Sequence, residues 1–66
     1  MPEPRLRRAL REGAGISQAS IGAHCGVSRQ AVGAWESGIA HPRGEHLVRY
    51  VELLELCREA VAGGVR

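Results

Sequence analysis

Apolar positions recur at helical spacing in four stretches of the chain, separated by glycine, serine and proline. Leu6, Ala9 and Leu10 stand at i, i+3 and i+4 and predict a first helix over residues 4–12, with an apolar stripe turned inward and the arginines turned out. Pro4 suits a first helical position, and Gly13 and Gly15 break the pattern. Ile21 and Cys25 lie four apart and mark one face of a second helix over residues 18–25, where Ala19, Gly22 and Ala23 leave room for a close neighbour. Gly22 costs about 1 kcal/mol of helix propensity against alanine, which tight packing at that point would offset. Val32 and Trp35, helped by Ala31, mark the buried edge of a third helix over residues 29–37. Residues 39–43 form a loop in which Pro42 forces its predecessor out of helix.

From Gly44 or Glu45 the pattern resumes and has no break before Gly63. Leu47, Tyr50, Val51, Leu54, Cys57 and Val61 share one face, while Glu52, Glu55 and Glu59 lie on another. A third strip, Leu53, Leu56 and Ala60, is also apolar. It is either the margin of a wide core stripe or a surface for self-association. These elements predict an all-α fold, a compact bundle of four or five helices in a single domain over residues 1–66. Residues 1–4 are a lead-in, 5–62 the folded part and 63–66 a flexible tail.

Residues 17–38 carry the punctuation of two short, consecutive helices. Ser17 and Ser28 each precede a helical pattern, where a hydroxyl can accept a hydrogen bond from a free backbone N–H. Gly26 and Gly38 each follow one, where a left-handed residue ends a helix without a Cβ penalty. Val27, in the turn, should point inward. Two helices arranged this way, the second with polar residues on its outer face, form a helix-turn-helix reader of DNA. That outer face, Arg29, Gln30, Gly33, Ala34 and Ser37, has small residues around two long hydrogen-bonding side chains and could approach a groove closely.

Composition constrains this reading only in places. Sixty-six residues, 44% of them apolar, allow one small core. With no Phe, one Trp and one Tyr, that core must be built from Leu, Ile, Val and Ala. The net charge of +2 is weak evidence for a polyanion partner, but all nine basic residues are arginine, and Arg5, Arg7, Arg8 and Arg11 crowd the first helix. Arginine is well shaped for phosphate and guanine edges, although a chain without Lys or Asn and rich in Ala, Gly and Arg also reads as GC-rich coding. Cys25 and Cys57, far apart, are read as buried reduced thiols. No long apolar run, secretory leader or lipidation signal is present, so a soluble cytoplasmic chain with no membrane partner is expected. His24, His41 and His46 with the two cysteines match no zinc spacing, so no metal or other cofactor is expected. The chain has no Asp, and its Ser, His and Glu suggest no nucleophile held against a base, so no catalytic residues and no enzyme are expected.

Arg11, Ile16-Ser17-Gln18, Ile21, Gly26-Val27-Ser28-Arg29, Val32, Trp35-Glu36-Ser37-Gly38, Pro42 and Leu47 recur together at a specific joint spacing. In this the chain resembles the Cro/C1-type (xenobiotic-response-element type) helix-turn-helix of phage and bacterial repressors, over residues 6–54. The resemblance implies a lambda-repressor-like fold and sequence-specific binding of double-stranded DNA in the major groove. It implies a transcriptional regulator, a repressor that holds an operator as a homodimer, with no small-molecule ligand; in outline the chain is most like a small phage Cro. It places Gln18, Ser28, Ser37 and Arg43 at DNA phosphates, with Ala40 in the same segment beyond the recognition helix. It places Arg29 and Gln30 at base edges, with Gly33 and Ala34 one turn further on. Arg11 and Glu36 match positions that form a partly buried ion pair. Two departures stand out. Family members usually end helix four near the position of Leu54 and add a short fifth helix, whereas this chain continues unbroken, which puts the usual dimer surface in doubt. Gly33 and Ala34 replace larger polar residues, so readout would rest mainly on Arg29 and Gln30.

The chemistry of those side chains fits the roles. Arg29 can donate twice to guanine O6 and N7, and Gln30 can pair with adenine N6 and N7; each such contact discriminates by about 1–3 kcal/mol. Ala34 can offer a methyl surface to thymine. The plainer alternatives are a phosphate contact for Arg29, a water-bridged or solvated Gln30, and simple helix filler for Ala34. Trp35 is read as core, since stacking on bases serves single strands. Two other functions compete: an antitoxin-type interaction module that also binds DNA, using Leu53, Leu56 and Ala60 to hold its partner, and an architectural factor that bends DNA.

Overall fold

Four helices joined by short turns account for the regular structure of residues 1–64, the part of the chain that the computed structural model describes. They are α1 (Pro4–Gly13), α2 (Gln18–Cys25), α3 (Arg29–Ser37) and α4 (Gly44–Gly64). Each begins or ends where side-chain chemistry dictates. Pro4 opens α1 after an extended Glu3. The Ser17 hydroxyl accepts the Ser20 N–H at 3.0 Å, and the Ser28 hydroxyl accepts the Ala31 N–H at 3.2 Å, so α2 and α3 are both capped. Gly26 (φ 79°) and Gly38 (φ 81°) end these two helices in the left-handed conformation.

The core is one cluster: Leu10 from α1, Ile21 and Cys25 from α2, Val32 and Trp35 from α3, and Tyr50, Leu54 and Cys57 from α4. The Trp35 and Tyr50 rings meet at 4.7 Å between centroids, tilted by 46°. Helix α2 packs on α3, α1 packs on α3 and α4, and α2 also packs on α4. Two glycines make these approaches possible. A Cβ on Gly22 would lie 2.7 Å from the Val27 carbonyl oxygen, and one on Gly13 would lie 2.9 Å from a Val61 methyl. The second contact explains why α4 runs on without a break: its last turns are wanted against the end of α1.

Two expectations from periodicity need correction, on α1 and at Leu47 of α4. On α1, Leu10 is buried, but Leu6 is 41% exposed and Ala9 is exposed, while Arg7 points inward. Arg7 is buried because its guanidinium donates to the Trp35 carbonyl at 2.9 Å and the Pro2 carbonyl at 2.7 Å. On α4, Leu47 is exposed, one turn before the first residue that reaches the core. The strip Leu53, Leu56 and Ala60 divides: Leu53 packs against the core, whereas Leu56 is 58% exposed and Ala60 is exposed. Helix α4 includes Gly63 and Gly64, where a tail was expected, and Val65 and Arg66 lie outside the described residues.

Two glycine substitutions should move stability in opposite directions. Alanine is the better helix former by about 1 kcal/mol at either site. At Gly22 the new methyl meets backbone at 2.7 Å, so Gly22→Ala should destabilise by about 1–3 kcal/mol despite that gain. At Gly33 the nearest atoms, those of the Gln18 amide, lie at 3.7 and 3.9 Å, so Gly33→Ala should stabilise by about 0.5–1 kcal/mol. Urea midpoints of the two variants read the sign directly.

The buried acids predict how the fold responds to alkali. Burial, reinforced by the Glu36 charge, pushes Tyr50 up from 10.0 to about 12, and burial raises the Cys25 and Cys57 thiols above 9.0. The unfolded chain ionises these groups at their ordinary values, so above them it releases protons that the native core retains. Their contribution is complete below those ordinary values and is lost as pH rises toward about 12. Unfolding followed by circular dichroism should show this loss, and Tyr50→Phe should remove the tyrosine share of it between about pH 10 and 12.

Candidate nucleic-acid interface

The α2–turn–α3 unit presents a continuous outer surface. Ser28, Arg29, Gln30 and Ser37 are exposed on or beside α3, and Ala34 is half-buried. The side chains of Arg29 and Arg43 make no hydrogen bond or ion pair among the described residues, so both guanidiniums are free to donate. Ser28 accepts with its oxygen and keeps its hydroxyl proton available. Ser37 differs, because its hydroxyl donates to the Ala34 carbonyl at 3.1 Å and would have to leave it to meet a phosphate. Gly33 is half-buried, and a Cβ built on it would meet the Gln18 amide at 3.7 and 3.9 Å, an ordinary contact distance.

Beneath this surface a hydrogen-bonded ion pair joins three helices. Arg11 of α1 donates through Nε to Glu36 Oε2 at 2.5 Å and through Nη2 to Glu36 Oε1 at 3.1 Å. Its Nη1 donates to the Ile16 carbonyl at 3.0 Å, bracing the turn that leads into α2. Gln18 Nε2 of α2 donates to Glu36 Oε1 at 3.1 Å. The side chains of Arg11 and Glu36 are only 11% and 4% exposed. The hydrogen bond from Arg11 to Glu36 raises the arginine's proton affinity above its already high value, so the guanidinium stays charged. A carboxylate can only accept, and this fixes which end of the Gln18 amide faces it. The second N–H of that amide remains to be used.

Arginines on α1 take part in ways that periodicity did not reveal. Arg7 caps the C-terminal end of α3 through the Trp35 carbonyl, where a cation also suits the helix dipole. Arg8 stands beside a surface hollow of about 440 Å³ over the start of α2, lined by Arg8, Arg11, Ser17, Gln18, Ala19 and Arg29. The signal for Arg8 was its i, i+3 spacing from Arg11, which puts both on one side of α1. No sequence signal pointed to Arg7, since its partner is 28 residues away.

On the far side of the turn, His46 of α4 contacts the Cys25 carbonyl at 2.9 Å through Nδ1, which must carry the proton because the carbonyl only accepts. Among the described residues no group of three His, Cys or Glu side chains is placed to hold a metal ion, and no helix is long and apolar enough to cross a membrane.

The helix-turn-helix family matches residues 8–60, most of the chain and all four helices in part or whole. No curated protein and no solved structure gives a match.

The ion pair predicts a non-additive double-mutant cycle. Arg11→Met strands the Glu36 carboxylate in the interior, and Glu36→Leu strands the guanidinium; each should cost about 3–5 kcal/mol. The double variant removes both charges and should recover much of the loss. Urea unfolding of the four proteins measures the coupling, and simple addition of the two losses would show that the charges act independently.

Proposed function

The chain belongs to the Cro/C1-type helix-turn-helix family of DNA-binding transcriptional regulators, and from that premise we propose that it is a repressor that reads one operator sequence. In this reading α3 enters the major groove. Arg29 reads guanine, Gln30 reads adenine, and Ala34 gives a methyl contact to thymine. Gln18, Ser28, Ser37 and Arg43 hold the flanking phosphates and set the register. The observation that supports this most is the unpaired Arg29 side chain lining a hollow with Ser17, Gln18 and Ala19 at the α2 N-terminus, next to an exposed Gln30 on the same helix and on a unit braced from behind by Arg11 and Glu36. A helix N-terminus favours an anion through its unpaired N–H groups, so the surface suits a duplex backbone next to a base edge.

The operator would be bound by two copies in the cytoplasm, with inverted half-sites about 34–36 Å apart. Leu56 and Ala60, exposed on α4 beside the half-buried Leu53, form the surface proposed to join them. The exposure of Leu56 also favours a second reading, an antitoxin-type module that holds a different protein through this strip while binding DNA; the chain would then be monomeric on its operator.

Selection from randomised duplex DNA should recover one motif at moderate salt. On that motif Arg29→Ala should relax preference at a single base position. Gln18→Ala should instead weaken all sequences alike and leave the salt slope nearly unchanged, because a neutral amide displaces no counterion. Identical effects of the two substitutions on every sequence would refute this division of roles.

A further inference from the structure

We propose that Arg8 is a DNA-backbone contact, supplied by α1 to the phosphate that faces the hollow over the start of α2; this rests on the DNA-binding reading above. Three guanidiniums from two helices line that hollow, and no acidic side chain does. They differ in the donors they have left. Arg11 is committed to Glu36 and to the Ile16 carbonyl and is nearly enclosed. Arg29 has no partner among the described residues. Arg8 has one, Glu12 at 3.3 Å, in an i, i+4 pair whose side chains are 63% and 55% exposed. An exposed pair of that kind contributes little, so Arg8 can leave it at small cost.

Arg11 is neutralised by Glu36 and Arg8 is held by Glu12, which also lies 3.9 Å from Arg11, so the capacity of the hollow for an anion rests on the unpaired Arg29 side chain and on an Arg8 that can exchange its partner. The hollow of about 440 Å³ has room for a phosphodiester group with some of its water, since each water takes about 30 Å³ of liquid. Arg29 on one side belongs to the helix that faces the base edges. Arg8 on the other side therefore extends the contact along the backbone and away from the bases. A contact of this kind adds affinity without sequence preference. Glu12 acts as a brake on it: the carboxylate that holds Arg8 in the free protein is the group Arg8 must exchange for phosphate. Arg5, exposed on the same helix, does not line the hollow and serves as the internal control.

The test measures affinity for the selected motif and for a scrambled duplex across a salt series, using the full chain and the variants R8A, R5A, E12Q and R8A/E12Q. Urea midpoints establish that all are folded. Loss of one phosphate contact should make the R8A salt slope shallower by about 0.9, so that its deficit shrinks about threefold between about 50 and 200 mM salt. The deficit should be the same on both duplexes. R5A should keep the wild-type slope, and E12Q should tighten binding in the wild-type background but not with R8A. An R8A slope equal to wild type, an equal change in R5A, or an E12Q gain that persists with R8A would each overturn the proposal. If the unmutated chain bound no duplex, the DNA-binding reading itself would fail, which the wild-type titration shows separately.

Discussion

One buried carboxylate fixes how three of the four helices meet. Glu36 accepts two hydrogen bonds from Arg11 of α1 and one from Gln18 of α2, while its own backbone belongs to α3. Enclosing such a charge is expensive, and the pair is poor evidence for stability as such. Its consequence is geometric. Apolar contacts tolerate sliding, whereas a bidentate arginine–carboxylate pair has one good arrangement, so α1, α2 and α3 are held in register rather than merely in contact. The same arrangement resolves an electrostatic difficulty. A glutamate so close to the surface proposed to meet phosphate would repel it, and Arg11 neutralises that charge from the inner side.

The reading helix depends on this frame because it is too short to persist alone. Nine residues lie below the length at which isolated helices hold in water. Helix α3 is instead secured at both ends and along one side. Ser28 closes its start, Gly38 and the Arg7 guanidinium satisfy its end, and Val32 and Trp35 bury its inner edge. Two of the four arginines of the first helix thus serve the placement of α3 rather than carrying charge on an outer surface.

The fold was legible in the sequence wherever a local rule governs it. Serine caps, left-handed glycines and Pro4 mark the ends of α1, α2 and α3 within a residue, because these constraints act over a single turn. The polar edge of α3 was visible in its own residues, and the pairing of Arg11 with Glu36 through resemblance to a family pattern. What escaped detection depends on partners distant in the chain. Periodicity assigned Leu6 to the core and Arg7 to solvent, since nothing near them announces that the Trp35 carbonyl would need a donor. The Gln18 amide was read only as a phosphate anchor, and its bond to Glu36 follows from how α2 crosses α3, which no spacing rule encodes. Arg8 was passed over because the hollow exists only once α1, α2 and α3 are brought together.

Charge distribution, not net charge, suits this surface to a polyanion. Residues 1–43 hold six arginines and three glutamates, and the remainder holds three arginines and four glutamates. The overall +2 therefore conceals a basic half that contains the reading unit and an α4 half that is slightly acidic. Such a polarity would orient an approaching duplex before any base is read. It also bears on specificity. Gly33, which a groove-facing helix could have left open for close approach, is half-buried beside the Gln18 amide instead. In the proposed reading, base discrimination would fall on Arg29 and Gln30, with a methyl from Ala34, and so few contacts would leave part of the selectivity to the shape and stiffness of the duplex. A protein that grips the backbone strongly and touches few bases gains its preference from which sequences bend to fit the grip.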